Sequence, residues 1–362
     1  MRSKTAMKAL SLLLLFTTAR GDDFATVHDR TRSLFVASDA ATAAAARSNL
    51  AALNATCFWP DIDYFDRGRA IWAPSAHITR VQTMVQALTS WGSPLFDEPA
   101  LAQGAHCALG VWLTRKPRFS SLNWWWAWIG EELTLQPTYL LLGANRTSAA
   151  ERAGFFEFSL SSAWWEDDWG GGDNLSDMLR VQLYRGLASG NVSAVAQSFN
   201  VTYATVAVGS AVKGEEGIVP DMSYHFHGEQ ILSSSYGAGW VSTILAAYRL
   251  AQGTVFSLPQ PAVAVFARFL AEGDAALTFG RRWDWLTNGR GIDRPGNAFS
   301  WGFNASALEA LAREPGAAPW AAALAQFARA LGGGPAATGT RVFWLSDFVA
   351  HKRPTWGAAF KA

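Results

Sequence analysis

The chain has 362 residues, half of them hydrophobic, enough to bury a large core as one big domain or two ordinary ones. Its formal net charge is +1 and its 30 basic residues form no long runs, so a nucleic-acid partner is not indicated. Tryptophan is the outlier, with 18 residues: a bulky core, or in part a set of platforms on which flat sugar rings stack.

The N-terminus, MRSKTAMKALSLLLLFTTARGDD, passes from basic residues through an apolar run, Ala9 to Phe16, to small residues. This predicts a secretory signal peptide over 1–21, hence an exported protein. The run is too short for a membrane span, and no later segment offers the roughly twenty apolar residues a span requires. Six N-x-S/T sequons, at Asn54, Asn145, Asn174, Asn191, Asn200 and Asn304, fit such a compartment. Cys57 and Cys107 form one disulfide there, or are two unrelated buried thiols.

Beyond the leader the apolar spacing is helical almost throughout. It predicts helices near 37–53, 75–92, 98–115, 124–142, 148–162, 175–188, 193–206, 236–251, 260–272 and 304–331. Ser75, Asp97, Asn123 and Asn174 stand as candidate N-caps, and Gly/Pro/Ser/Asp clusters separate the runs. With no fixed repeat, the expected architecture is mainly α, helical hairpins packed around a shared core. Past GGGPAATGT, the stretch TRVFWLSDFVAHKR reads as extended. A lone hairpin is marginal in water, so these strands either lean on the helices or open a longer architecture.

Four segments carry candidate chemistry. In SLNWWWAWIGEE, three adjacent tryptophans lie about 100° apart on a helix, so at least one escapes the buried face. In WWEDDWGGGDNLSD, Glu166, Asp167 and Asp168 suggest paired glycosidase carboxylates, or simply a solvated acidic turn. Asn174, just beyond, caps a helix or donates its amide to a ligand. In YHFHGEQILSSSYGAGW, His225 and His227 are one residue apart and Tyr236 follows. A metal pair would need further ligands, and there is no HExxH; a structural loop and a His–Tyr proton-handling pair are the other readings. In LTNGRGIDRPG, Arg290 and Arg294 would clamp an anion or pair with Asp284 and Asp293.

Together, and in this order, the segments resemble polysaccharide lyase family 8, which contains hyaluronate, chondroitin AC and xanthan lyases. NWW followed by I-G resembles the family's aromatic patch, at Asn123, Trp124 and Trp125. GGDN resembles its T-G-A-N, placing the asparagine at Asn174. DMSYHFHGEQ with SYGAG resembles D-G-S-F-x-x-H-x-x-Q and the later G-Y-G, which selects His227 over His225 and places the tyrosine at Tyr236. NGRGIDR resembles R-G-R-x-I-S-R, giving Arg290 and Arg294. DIDYFDRGRAIWAPSAHITRV looks like the family's opening helices, and SDFVAHKRPTWGAAF like the start of its β-sandwich region.

The resemblance implies an incomplete (α/α) toroid over 22–335 and the beginning of an antiparallel β-sandwich over 336–362, with a supporting glutamate supplied by β domains beyond that point. It also implies β-elimination on an acidic polysaccharide with 4-linked uronic acid, by a monomer, with no metal or organic cofactor. Asn174 and His227 would neutralise the uronate carboxylate and Tyr236 would act as base and then acid. Arg290 and Arg294 would favour the phenolate, and Asn123, Trp124 and Trp125 would hold sugar rings. Met222 and Asp173 depart from the family's usual glycine and alanine. Two rival readings remain: a glycoside hydrolase acting through residues 166–168, and a carbohydrate-binding protein without turnover.

Overall fold

The computed structural model describes residues 21–68, 71–115, 123–158, 172–212, 215–293 and 305–362; the expected signal peptide lies almost wholly outside them. The described residues are mainly α-helical and fall into two compact units, an N-terminal one (19–169 and 177–198) and a C-terminal one (170–176 and 199–362).

The N-terminal unit holds α1 (Gly21–Ser33), α2 (Ala40–Ala52), α3 (Ser75–Thr89), α4 (Pro99–Arg115), α5 (Glu132–Leu142) and α6 (Ala149–Phe158). To these it adds most of α7 (Gly172–Ser189) and the start of α8 (Val192–Ala204). On α3, Ile78, Val81, Val85 and Leu88 recur at helical spacing and are fully buried. They share a core with Trp59, Trp72 and Trp112, so a good part of the tryptophan content is structural. Ser75 is not an N-cap as the sequence suggests: Pro74 holds that position and the Ser75 hydroxyl donates to the Trp72 carbonyl, 2.7 Å.

His77 sits in this core, stacked on Trp112. The carbonyl of Ala108, 2.9 Å away, can only accept, so Nε2 carries the proton and Nδ1 accepts from the Tyr64 hydroxyl, also at 2.9 Å. Burial pushes this imidazole down to about 4. The unfolded histidine therefore takes up a proton below about 6.5 that the folded one refuses until about 4, and stability falls across that window by about 3 kcal/mol at most. Thermal unfolding followed from pH 7 to pH 4 should show that decline, flattened in His77→Gln.

Cys57 and Cys107 are joined, with Cα atoms 5.6 Å apart and a sequence separation of 50. A loop of that size constrains the unfolded chain by about 4 kcal/mol on the chain-entropy account. Reduction, or Cys57→Ala with Cys107→Ala, should lower the unfolding free energy read from a urea titration by about 2–4 kcal/mol.

The C-terminal unit contains α9 (Ala238–Ala251), α10 (Gln260–Arg268), the short α11 (Ala275–Leu277), α12 (Ala305–Leu311) and α13 (Ala321–Leu331). Trp240, Val241, Ile244 and Tyr248 form the buried face of α9, and Trp240 packs on Tyr224, Phe266 and Phe269. Two small hairpins, β1 (Gly217–Ile218) with β2 (Tyr224–His225) and β3 (Thr278–Phe279) with β4 (Arg282–Trp283), are interposed. The extended tail forms a three-stranded antiparallel sheet, β5 (Gly339–Phe343), β6 (Phe348–Lys352) and β7 (Gly357–Lys361).

This sheet leans on the unit's other elements. Phe343, Phe348 and Ala350 bury one face. Asp221 Oδ2 accepts from Leu345 N–H (2.7 Å), the Asp221 carbonyl accepts from Arg341 (2.9 Å), and Ser346 Oγ lies 2.8 Å from His225 Nε2. The Lys352 ammonium donates to the Ala275 and Thr278 carbonyls.

Candidate active site

The segment 224–237 is a hairpin edge followed by a tight loop. The Phe226 N–H bonds to the Gln230 carbonyl (3.2 Å), His225 bridges Ile231, and the Leu232 N–H returns to the Tyr224 carbonyl (2.9 Å). His227 stands exposed in this loop with φ +55°, a left-handed conformation that non-glycine residues rarely adopt. Its N–H donates to Glu216 Oε1 at 3.0 Å.

Tyr236 lies on a π-helical turn, Ser233–Gly237, that leads into α9. Its half-buried ring stacks on Phe226, centroids 4.2 Å apart and planes 25° apart. Its hydroxyl is 3.2 Å from His227 Nε2, with the imidazole edge-on to the phenol. The two groups therefore share a hydrogen bond at the surface, where either can exchange a proton with an incoming molecule. The glycine after Tyr236 serves packing: a Cβ on Gly237 would lie 3.1 Å from the Tyr224 ring.

Asn174 arrives from the first turn of α7. The helix starts at Gly172, so Asn174 is inside it and not its cap, contrary to the sequence expectation. Gly172, at φ +60°, lies so close to Phe226 that a Cβ would come within 2.6 Å of its ring. Phe226 is thus flanked by Tyr236 and by the backbone two residues before Asn174. Asp173 turns its carboxylate toward Gly239 at the start of α9, where a Cβ would meet it at 2.5 Å.

The arginine segment approaches through its backbone. Gly289, at φ +55°, abuts Leu232, the residue before the turn bearing Tyr236, and a Cβ there would overlap the leucine side chain. The 3₁₀ turn Gly289–Asp293 carries the Arg290 backbone; its side chain and all of Arg294 lie outside the described parts. The Asp284 carboxylate accepts from Leu286 N–H, 2.9 Å, at the head of a 3₁₀ turn, and the arginine side chains it was expected to pair with lie outside the described residues. Glu166, Asp167 and Asp168 also lie outside the described residues.

His225 goes elsewhere. It is buried, bound to Ser346, and its pKa is lowered by burial. The two histidines do not converge on a common centre, and among the described residues no group of three or more His, Cys, Asp or Glu is placed to hold a metal ion.

In the N-terminal unit, Asn123 does cap its helix, its side-chain oxygen accepting from Trp125 N–H at 3.0 Å. The three indoles diverge as their spacing demands. Trp126 packs on Trp72 in the core, Trp125 is half-buried and bonds to Asp177, and Trp124 keeps 38 % of its surface exposed. Phe226 and Glu216 escaped the sequence reading. Phe226 alternates with Tyr224 in YHFH, a strand-like aromatic pair, whereas no motif marks Glu216.

Residues 24–320 match the family model for the N-terminal α-helical domain of polysaccharide lyase family 8. The chain belongs to that family. It is 25 % identical over 250 residues to chondroitinase-AC of Pedobacter heparinus, an alignment covering 69 % of this chain and 35 % of that protein. Its fold is similar to a chondroitinase AC lyase solved in oligosaccharide complexes, with a TM-score of 0.80, 22 % identity and coverage of 92 % of this chain and 49 % of the other. The Streptomyces coelicolor chondroitin AC lyase bound to chondroitin sulphate gives 0.72 at 19 % identity, covering 92 % and 52 %. A Paenibacillus xanthan lyase gives 0.74 at 16 % identity, covering 93 % and 36 %. The chain thus spans about a third to a half of the length of these relatives.

Proposed function

We propose that this protein is a polysaccharide lyase that cleaves chains containing 4-linked uronic acid, of the hyaluronan, chondroitin or xanthan type, by β-elimination. The observation that carries the reading is the His227–Tyr236 hydrogen bond, 3.2 Å, beside the helix turn that presents Asn174. On this reading residues 22–335 are the catalytic domain, 336–362 open a β domain, and 1–21 direct export.

The C5 proton of a uronate is poorly acidic while the neighbouring carboxylate is charged. Hydrogen bonds from Asn174 and His227 neutralise that carboxylate and stabilise the enolate charge that develops. Tyr236 as phenolate takes the C5 proton, the C4–O4 bond breaks, and the phenol returns the proton to the departing O4. No water is consumed, and the new non-reducing end carries a 4,5 double bond. Arg290 and Arg294 supply the positive charge that favours the phenolate. Side chains and substrate account for every proton and electron pair in this scheme.

Incubation with hyaluronan, chondroitin, xanthan, alginate and glucuronan, followed by the ultraviolet absorbance of the conjugated double bond, tests the reading. Signal on at least one polymer supports it, and silence on all of them favours a binding protein without turnover. Trp124, Trp125 and the cap Asn123 form the sugar-binding patch on this reading, with the exposed Trp124 indole offering a ring face. Loss of one such contact costs about 1–2 kcal/mol, so Trp124→Ala should raise KM by about fivefold to thirtyfold with little change in kcat. An unchanged KM removes this residue from the binding surface.

A further inference from the structure

Glu216 has no place in the scheme above, yet its carboxylate is bonded to the residue at the centre of it. Its Oε1 accepts the His227 backbone N–H at 3.0 Å. That N–H belongs to a residue at φ +55°, in a backbone state that must be held by its surroundings. The anchor for Glu216 is local and firm. The next two residues pair with β2 in a fixed register, Gly217 opposite His225 and Ile218 opposite Tyr224. Gly217 itself takes φ +102°, which turns the chain as it enters that pairing. One end of the loop is closed by the Phe226–Gln230 bond and the His225–Ile231 bridge. Glu216 holds the residue in between.

We infer that Glu216 is a positioning residue: through this hydrogen bond it fixes the left-handed backbone at His227 and so directs the imidazole to the Tyr236 hydroxyl. A glutamate suits the position because a carboxylate hydrogen bond is about twice as strong as one to a neutral acceptor. The alternative acceptor for an exposed N–H is water, which satisfies the hydrogen bond but imposes no conformation. The imidazole sits edge-on beside two rings that stack on each other, 4.5 Å from Phe226 and 5.1 Å from Tyr236 by centroid, so its protons report its placement through ring-current shifts.

The inference rests on the lyase reading for its kinetic consequence but not for its structural one. Glu216→Ala and Glu216→Gln would be compared with wild type by imidazole proton shifts in the ligand-free protein and by kcat and KM on the polymer that wild type cleaves. Glu216→Ala is expected to move the His227 shifts toward those of a free histidine and to lower kcat by about tenfold to a hundredfold, as small misplacements at a reacting centre do, with KM within about threefold. Glu216→Gln, which keeps an acceptor oxygen, should restore both. Wild-type shifts and kcat in Glu216→Ala would overturn the inference. So would a Glu216→Gln variant with displaced His227 shifts and a kcat at least about tenfold below wild type, a comparison that decides the matter even if Glu216→Ala fails to fold. Displaced shifts in an Ala variant of a protein with no lyase activity would uphold the positioning and sink the function instead.

Discussion

Tyr236→Phe is expected to abolish cleavage while leaving the fold intact. On the lyase reading the phenol would serve twice, taking the C5 proton and returning one to O4, and loss of a general acid–base group costs about 10²–10⁴-fold in kcat. The substitution is conservative for packing because phenylalanine preserves the ring stacked 4.2 Å from Phe226 and removes only the oxygen 3.2 Å from His227. One exposed hydrogen bond is worth about 1 kcal/mol or less to stability, so the thermal midpoint should shift by a few degrees at most. Polymer binding should survive. Retention of more than about a tenth of wild-type kcat would remove Tyr236 from the chemistry.

The second large effect falls on Asn174, where stability and catalysis pull apart. On the lyase reading Asn174→Ala would remove an amide that stabilises developing negative charge, an expected loss of about 10²–10³-fold in kcat. Asn174→Asp separates the roles more sharply. The residue lies in the first turn of α7, where a negative side chain is favoured by the helix dipole, so aspartate should be neutral or slightly stabilising for the fold. Facing a uronate carboxylate, the same charge is repulsive, and activity should fall below that of the alanine variant. A stable, active Asn174→Asp protein would contradict the assignment. So would a glycan: Asn174 begins an N-L-S sequon, and the peptide bearing it should be found unmodified.

Much of the helical architecture was legible because burial on α3, α9 and α13 repeats at three- and four-residue spacing. The boundaries failed where side-chain chemistry was ambiguous. Asn174 has the composition of an N-cap, but Gly172 can adopt the positive φ that starts the helix two residues earlier. The tail was legible as strands, but not what they rest on. That support comes from Asp221, His225 and Arg341, polar residues whose partners are more than a hundred positions distant in sequence.

At the site, the resemblance selected His227 over His225, and the structure supplies a physical distinction between them: one is exposed beside Tyr236, the other buried on Ser346. Composition alone could not separate two histidines with one residue between them, one on β2 and one in the loop after it. The glycines after Tyr236 make room for the Tyr224 ring and the Asp173 carboxylate. Such close approaches depend on which elements meet in space, and a short motif does not encode that.

The most direct test of the account is the fate of solvent oxygen during cleavage. The susceptible polysaccharide would be digested in water enriched in heavy oxygen and the products weighed. Elimination predicts fragments whose new non-reducing ends are unsaturated and carry no label beyond slow exchange at the reducing end. Saturated fragments, with one labelled oxygen taken up for each bond cleaved, would show hydrolysis and contradict the Tyr236–His227 mechanism.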